Sequence, residues 1–212
     1  MQSFPTFKLS SSIKQSFRAP HKKKAEYWEE RGERMVMRLF RYVAKTVPAY
    51  QQLLRTHNID PKKIKTVGDF KNLPIIDKES YLRKFDFIDL FPNRDISQAT
   101  TISATSGSTG EPFYFPRGEE QDLQYEYVAE QFLKNQFEIH RKKTLGIIGF
   151  GLGIWIGGIF TYKVFNKIAS KGNRLTLAPV GPSKEHYLRM INKFGDMYDQ
   201  IILMGYPPFI KD

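Results

Sequence analysis

The sequence predicts an α/β fold: a helical N-terminal segment followed by βα units of a mainly parallel sheet. Three features predict it. Apolar residues recur at helical spacing early in the chain, short apolar runs alternate with helical patterns later, and proline or glycine-rich turns separate them. With 212 residues, 41% of them apolar, including 17 Phe and 11 Tyr, the chain has material for a substantial core.

The elements follow in order. Between Lys24 and Lys45 the residues Tyr27, Trp28, Met35, Leu39, Tyr42 and Val43 recur at spacings of three, four and seven, which predicts a helix with one apolar stripe. Pro48 ends it, and residues 51–57 form a second, short helix closed near Asn58. Thr66 and Asp77 are N-caps for helical segments 67–72 and 78–85, with Pro74 between them. The character changes at Ile96. Residues 98–104 and 112–116 read as extended runs and residues 119–137 as a helix, with Tyr125, Val128 and Phe132 spaced for one apolar face. Then come a buried strand at 144–149, a helix at 156–170 and a strand at 174–179. A helix at 184–194, capped by Ser183, follows, with the stripe Tyr187, Leu188, Ile191 and Phe194, and then a strand at 200–204. This divides the chain into a basic arm (1–24), a helical segment (25–95) and an α/β region (96–212).

Composition narrows the function. There is no cysteine, which excludes disulfides, thiolate metal sites and cysteine nucleophiles and fits a cytoplasmic location. His21, His57, His140 and His186 are widely separated and match no metal-ligand spacing. The net charge of +11 raises nucleic acid as a partner. Its distribution weakens that reading, because Lys8, Lys14, Arg18, Lys22, Lys23 and Lys24 put +6 of it in the acid-free arm. No specific nucleic-acid partner is expected. The arm lacks an apolar h-region, so it is no secretory signal. Residues 145–162 carry no charge, but six glycines (146, 149, 151, 153, 157 and 158) fit a strand, a glycine turn and a helix start better than a membrane span.

The most informative stretch is Thr105, Ser106, Gly107, Ser108, Thr109 and Gly110, followed by Glu111 and Pro112. Phosphate is bound by dense short donors, which backbone N–H groups of a tight loop and Ser/Thr hydroxyls supply. Gly107 and Gly110 permit close backbone approach. The same composition also suits a Ser/Gly-rich surface turn, and composition alone does not choose. The loop is not a Walker A loop, since no Lys follows Gly110, and it lacks the spacing of a nucleophile elbow.

Residues 105–112 resemble the phosphate-loop signature of the adenylate-forming superfamily, which includes acyl-CoA synthetases, luciferases and peptide-synthetase adenylation domains. The nearest branch is similar to the phenylacetate–CoA ligases and their capsular-polysaccharide-associated relatives. Three further segments resemble that branch in the right order: Val47-Pro48-Ala49-Tyr50 with Leu53-Leu54, then Leu73-Pro74-Ile75-Ile76-Asp77-Lys78, then Gly205-Tyr206-Pro207-Pro208. The likeness runs from about Ala25 to Asp212. Many superfamily members place Lys just after the loop's Pro; Phe113 stands there, and the aromatic run Phe113-Tyr114-Phe115 reads as core packing.

The resemblance implies an incomplete adenylate-forming large domain and a reaction in two steps. A carboxylic acid substrate attacks the α-phosphate of ATP, carried with Mg2+, to give an acyl-adenylate; a thiol, usually coenzyme A, then takes the acyl group. Residues 105–110 would hold the β- and γ-phosphates, with Ser106, Ser108 and Thr109 as hydroxyl donors. By position, Phe150, Gly151 and Tyr206, with others up to Trp155, would line the acyl pocket, although core packing explains them as well. The family's adenine and ribose region and its hinged C-terminal domain with a catalytic Lys have no match here. A C-terminal half or a second chain is therefore expected to complete the site; the alternative is a truncated or split, non-catalytic nucleotide-binding chain that needs a partner.

Overall fold

The computed structural model describes residues 24–105 and 111–211, in two compact units that divide between Gln98 and Ala99. Apart from Lys24, the basic arm lies outside the described residues.

The first unit is helical. It contains α1 (Ala25–Thr46), α2 (Pro48–Thr56) and α3 (Val67–Phe70), then single helical turns at Lys78–Leu82, Phe87–Leu90 and Pro92–Arg94. Pro48 does more than end α1. Val47 is extended (φ −100°, ψ 110°), and Pro48 opens α2, where its missing N–H would have had no partner anyway. The second helix therefore starts three residues earlier than its apolar pattern indicates. Asn58, at φ 53°, closes it in the left-handed region. Both predicted caps form: Thr66 and Asp69 exchange hydrogen bonds of 3.1 and 2.9 Å, and Asp77 and Ser80 exchange bonds of 2.7 and 3.0 Å. The segment after Asp77 is shorter than predicted, a single turn ending at Leu82. The predicted stripe on α1 also needs correction. Leu39 is 52% exposed, whereas Met37 and Phe40 are buried, and Phe40 packs edge-to-face on Tyr50 and Phe70. The core of this unit joins Val47, Ala49, Leu53 and Tyr81.

The second unit opens with an antiparallel hairpin, β1 (Ala99–Ala104) and β2 (Tyr114–Gly118), in register from Ala104 opposite Tyr114 to Thr101 opposite Arg117, with a shift before Ala99 meets Gly118. Helix α4 (Glu119–Phe137) follows and ends at Glu138, which is left-handed at φ 51°. Then β3 (Thr144–Ile148), α5 (Gly158–Ser170), β4 (Leu175–Pro179), α6 (Lys184–Phe194), β5 (Gln200–Met204) and α7 (Pro207–Lys211) complete it. The sheet order is β4-β3-β5, all parallel, with β3 central and buried throughout. Helices cover both faces, as a parallel sheet requires. Ala129 and Leu133 of α4 and Val164, Phe165 and Ile168 of α5 pack on one face with Leu175 and Ile202. Tyr187, Ile191 and Phe194 of α6 pack on the other with Leu145 and Ile147. The uncharged stretch 145–162 is thus a strand, a glycine turn and the start of a helix. No described helix is long and apolar enough to cross a membrane.

Two further stripes differ from the sequence reading. Leu188 is 60% exposed, and Met190 packs in its place. On α4, Val128 and the 56% exposed Phe132 face outward, while Asp122, Glu126, Ala129, Glu130 and Leu133 are buried.

Candidate functional site

The phosphate-loop candidate spans the open end of the β1–β2 hairpin. Thr105 donates its N–H to the Phe113 carbonyl at 3.0 Å, and the Phe113 N–H donates to Thr105 Oγ1 at 3.1 Å. These two bonds pinch the ends of the loop together. They also commit the Thr105 backbone donor, so that only its hydroxyl hydrogen remains for a ligand. Ser106, Gly107, Ser108, Thr109 and Gly110 lie outside the described residues. The run Phe113-Tyr114-Phe115 is not core: Tyr114 is 45% exposed and its neighbours are half-buried, because a two-stranded ribbon covers only one face of each strand.

The loop base is tied to the glycine turn after β3. The Ala104 N–H donates to the Ile154 carbonyl at 3.0 Å, and Ala104 bridges Trp155 in parallel. That turn contains Phe150 and Gly151. Its start is fixed at the carboxyl end of the sheet, where the Gly149 N–H donates to the Met204 carbonyl at 2.7 Å. The same carbonyl accepts the Tyr187 hydroxyl at 2.8 Å. Burial pushes the Tyr187 hydroxyl above its ordinary range, partly offset by the Gly149 backbone. Gly149 is required here, because a Cβ would sit 2.0 Å from the Tyr187 oxygen. Gly158 is required for a different contact: at the start of α5 its Cβ would meet the Gly151 carbonyl at 2.1 Å. Tyr206, two residues beyond Met204, is 66% exposed.

Backbone bonds at neighbouring residues, Ala104 to Ile154 and Gly149 to Met204, tie together the segments that carry Thr105, Phe150, Gly151 and Tyr206. Open parallel sheets bind ligands at their carboxyl end. A cavity of about 30 Å³, one water in size, lies between β1, the glycine turn and α5, lined by Ser103, Asp122, Trp155, Phe160 and Lys163. Phe150, Gly151 and Tyr206 do not line it. Among the described residues no three His, Asp or Glu gather to hold a metal ion, so no residue is assigned to Mg2+.

The sequence reading missed the charged seam between α4 and α5. Asp122 accepts from Lys163 at 2.6 Å, Glu126 pairs with Lys171 at 2.7 Å and Lys167 at 3.9 Å, and Glu130 pairs with Lys171 at 2.7 Å and Lys134 at 2.6 Å. Burial alone would raise the Glu130 carboxyl, but hydrogen bonds from Lys134 and Lys171 override it and hold the group below its ordinary range. The signal was present as acids and lysines each repeating every four residues, at 122, 126, 130 and at 163, 167, 171.

No protein-family model matches the chain, and no curated protein matches it. Solved structures do. The chain superposes on 2-hydroxyisobutyryl-CoA ligase in complex with 2-HIB-AMP and CoA in the thioesterification state, with a TM-score of 0.65 and 15% identity, over 87% of this chain and 38% of that one. An open conformation of that ligase with 2-HIB-AMP and CoA gives 0.56 at 17% identity, over 76% and 36%. Its postadenylation state with 2-HIB-AMP gives 0.55 at 16% identity, over 76% and 33%. The fold is therefore α/β and corresponds to part of an adenylate-forming acyl-CoA ligase fold. The chain spans little more than a third of the length of those structures.

Proposed function

We propose that this chain is the N-terminal part of an ATP-dependent carboxylate ligase that forms an acyl-adenylate and then an acyl thioester with coenzyme A. The phenylacetate–CoA ligase-like branch is the one its motifs favour. The observation that carries the proposal is the fold correspondence over 87% of the chain, combined with the Thr105–Phe113 bonds that flank the Ser/Thr/Gly run in sequence.

In this reading a carboxylate oxygen attacks the α-phosphorus of ATP, the bond to pyrophosphate breaks, and a thiol sulfur later displaces AMP from the acyl carbon. Catalysis of this kind rests on positioning and charge stabilisation. The hydroxyls of Ser106, Ser108 and Thr109 and the backbone N–H groups of residues 106–110 hold the β- and γ-phosphates. The Thr105–Phe113 bonds hold the ends of the loop together. Mg2+, when bound with the nucleotide, neutralises phosphate charge. Phe150, Gly151 and Tyr206 form part of the acyl wall, which a C-terminal half or a second chain completes; the reaction is cytoplasmic.

The test is acid-dependent pyrophosphate exchange by the complete enzyme. Thr109→Ala and Gly107→Val should each lower it by about 10²-fold or more, the scale of losing a preorganised donor. Unchanged exchange would remove the phosphate role from the loop. The 212-residue chain alone should make no acyl-CoA, and turnover by the pure chain would refute the division of the site. Screening aryl, fatty and amino acids in the same assay identifies the acid.

A further inference from the structure

From the buried charges beside the hairpin we infer that Asp122 is a positioning residue for Thr105 and Phe113, the two ends of the phosphate-loop candidate, fastening the β1–β2 hairpin to α4 and α5. This rests on the reading that the loop binds phosphate.

A two-stranded hairpin is marginal alone and holds its place only by docking. Here one carboxylate takes part in the docking, beside the Ala104–Ile154 bond. Asp122, in the first turn of α4, is 3% exposed. One of its oxygens accepts from Lys163 Nζ of α5 at 2.6 Å; the other lies 3.9 Å from Arg117 Nε of β2, within ion-pair reach but not hydrogen-bonded. The Arg117 guanidinium lies 3.8 Å over the Phe160 ring of α5, and Phe160 stacks on Tyr125 of α4 at 4.7 Å. Arg117 in turn sits opposite Thr101 in the hairpin register, and its carbonyl accepts the Thr100 hydroxyl at 3.4 Å. A single buried acid therefore touches the return strand of the hairpin and the helix behind it.

The chemistry of the contact favours placement over simple stabilisation. Apolar packing would fill the same space with comparable or better stability, whereas paired charges fix direction and distance. The next rungs of the seam separate the two roles. Glu126 and Glu130 pair with Lys134, Lys167 and Lys171, and among the described residues neither pairs with β1 or β2. Among the described acids of the seam, Asp122 is the one within ion-pair reach of β2.

The experiment compares Asp122→Asn with Glu126→Gln in the full chain. Asp122→Asn/Lys163→Met is added because it removes the Lys163 charge together with its acid, while Arg117 keeps its seat over the Phe160 ring. Two readouts are taken: the affinity for inorganic pyrophosphate by calorimetry, and amide hydrogen exchange at Thr105 and Phe113. Both Asp122 variants should weaken pyrophosphate binding about tenfold and speed exchange at those amides about tenfold, while Glu126→Gln changes each less than about twofold at a similar loss of thermal midpoint. Equal effects from Glu126→Gln, or no effect from the Asp122 variants, overturn the inference. If the unmodified chain binds no pyrophosphate, the phosphate reading and the positioning role fall together. Exchange at Thr105 and Phe113 then still decides whether Asp122 fastens the hairpin.

Discussion

At the residue scale, the node beneath the candidate acyl wall depends on a residue that is absent from no pattern yet visible in none. Gly149 read as one glycine among six in an uncharged stretch. In the fold it is the gap that admits the Tyr187 phenol, whose hydroxyl shares the Met204 carbonyl with the Gly149 N–H. A methyl group at 149 cannot coexist with that ring position. Gly149→Ala should therefore destabilise the chain by about 1–3 kcal/mol, the scale of overpacking a filled site, as measured by urea denaturation. The double variant Gly149→Ala/Tyr187→Leu should recover part of the loss, because the smaller side chain vacates the contact. No recovery would show that the phenol is not what the methyl meets. The spacing of Tyr187, Ile191 and Phe194 was enough to place Tyr187 on an apolar face. Its hydroxyl partner was not legible, since the acceptor lies 17 residues away on another element.

At the scale of elements, α4 shows where apolar periodicity misleads. Its bounds, residues 119–137, were legible from composition and from its flanking glycine. Its buried face was not. Tyr125, Val128 and Phe132 have ordinary helical spacing, yet Val128 and Phe132 turn outward, while Tyr125 stacks on α5 beside Asp122, Glu126 and Glu130, which meet Lys163 and Lys167 of α5 and Lys171 just beyond it. Charge is buried here only because it is paired. This makes the docking of α4 on α5 acid-sensitive. The Glu130 carboxyl titrates below its ordinary range in the folded chain, so its contribution is complete above the unfolded value near pH ~4.3 and is lost as the pH falls through the folded value. Urea midpoints measured from pH 7 down to 3 should fall more steeply for the unmodified chain than for Glu130→Gln. Parallel curves would show that Glu130 is not held by its lysines.

At the scale of the whole molecule, each unit has an apolar core of its own among the described residues. Val47, Ala49, Leu53 and Tyr81 form one core, and the two faces of the parallel sheet form the others. Leu53→Ala should lower amide-exchange protection in α2 by about 2–5 kcal/mol, while β3 changes by less than about 0.5 kcal/mol; Ile147→Ala should do the reverse. Equal losses in both units from either variant would show a single cooperative core. Much of this architecture was determined by the sequence alone. Cap pairs such as Thr66 with Asp69, the proline at position 48 and the period of the apolar residues act over a few residues, so elements and their order were readable without the fold. Which face each helix buries, which strand lies central, and how Asp122 meets Lys163 across 41 residues were decided only by the tertiary structure. Those contacts depend on partners brought together by folding, and a paired charge or a vacated Cβ has no signature until its partner is in place.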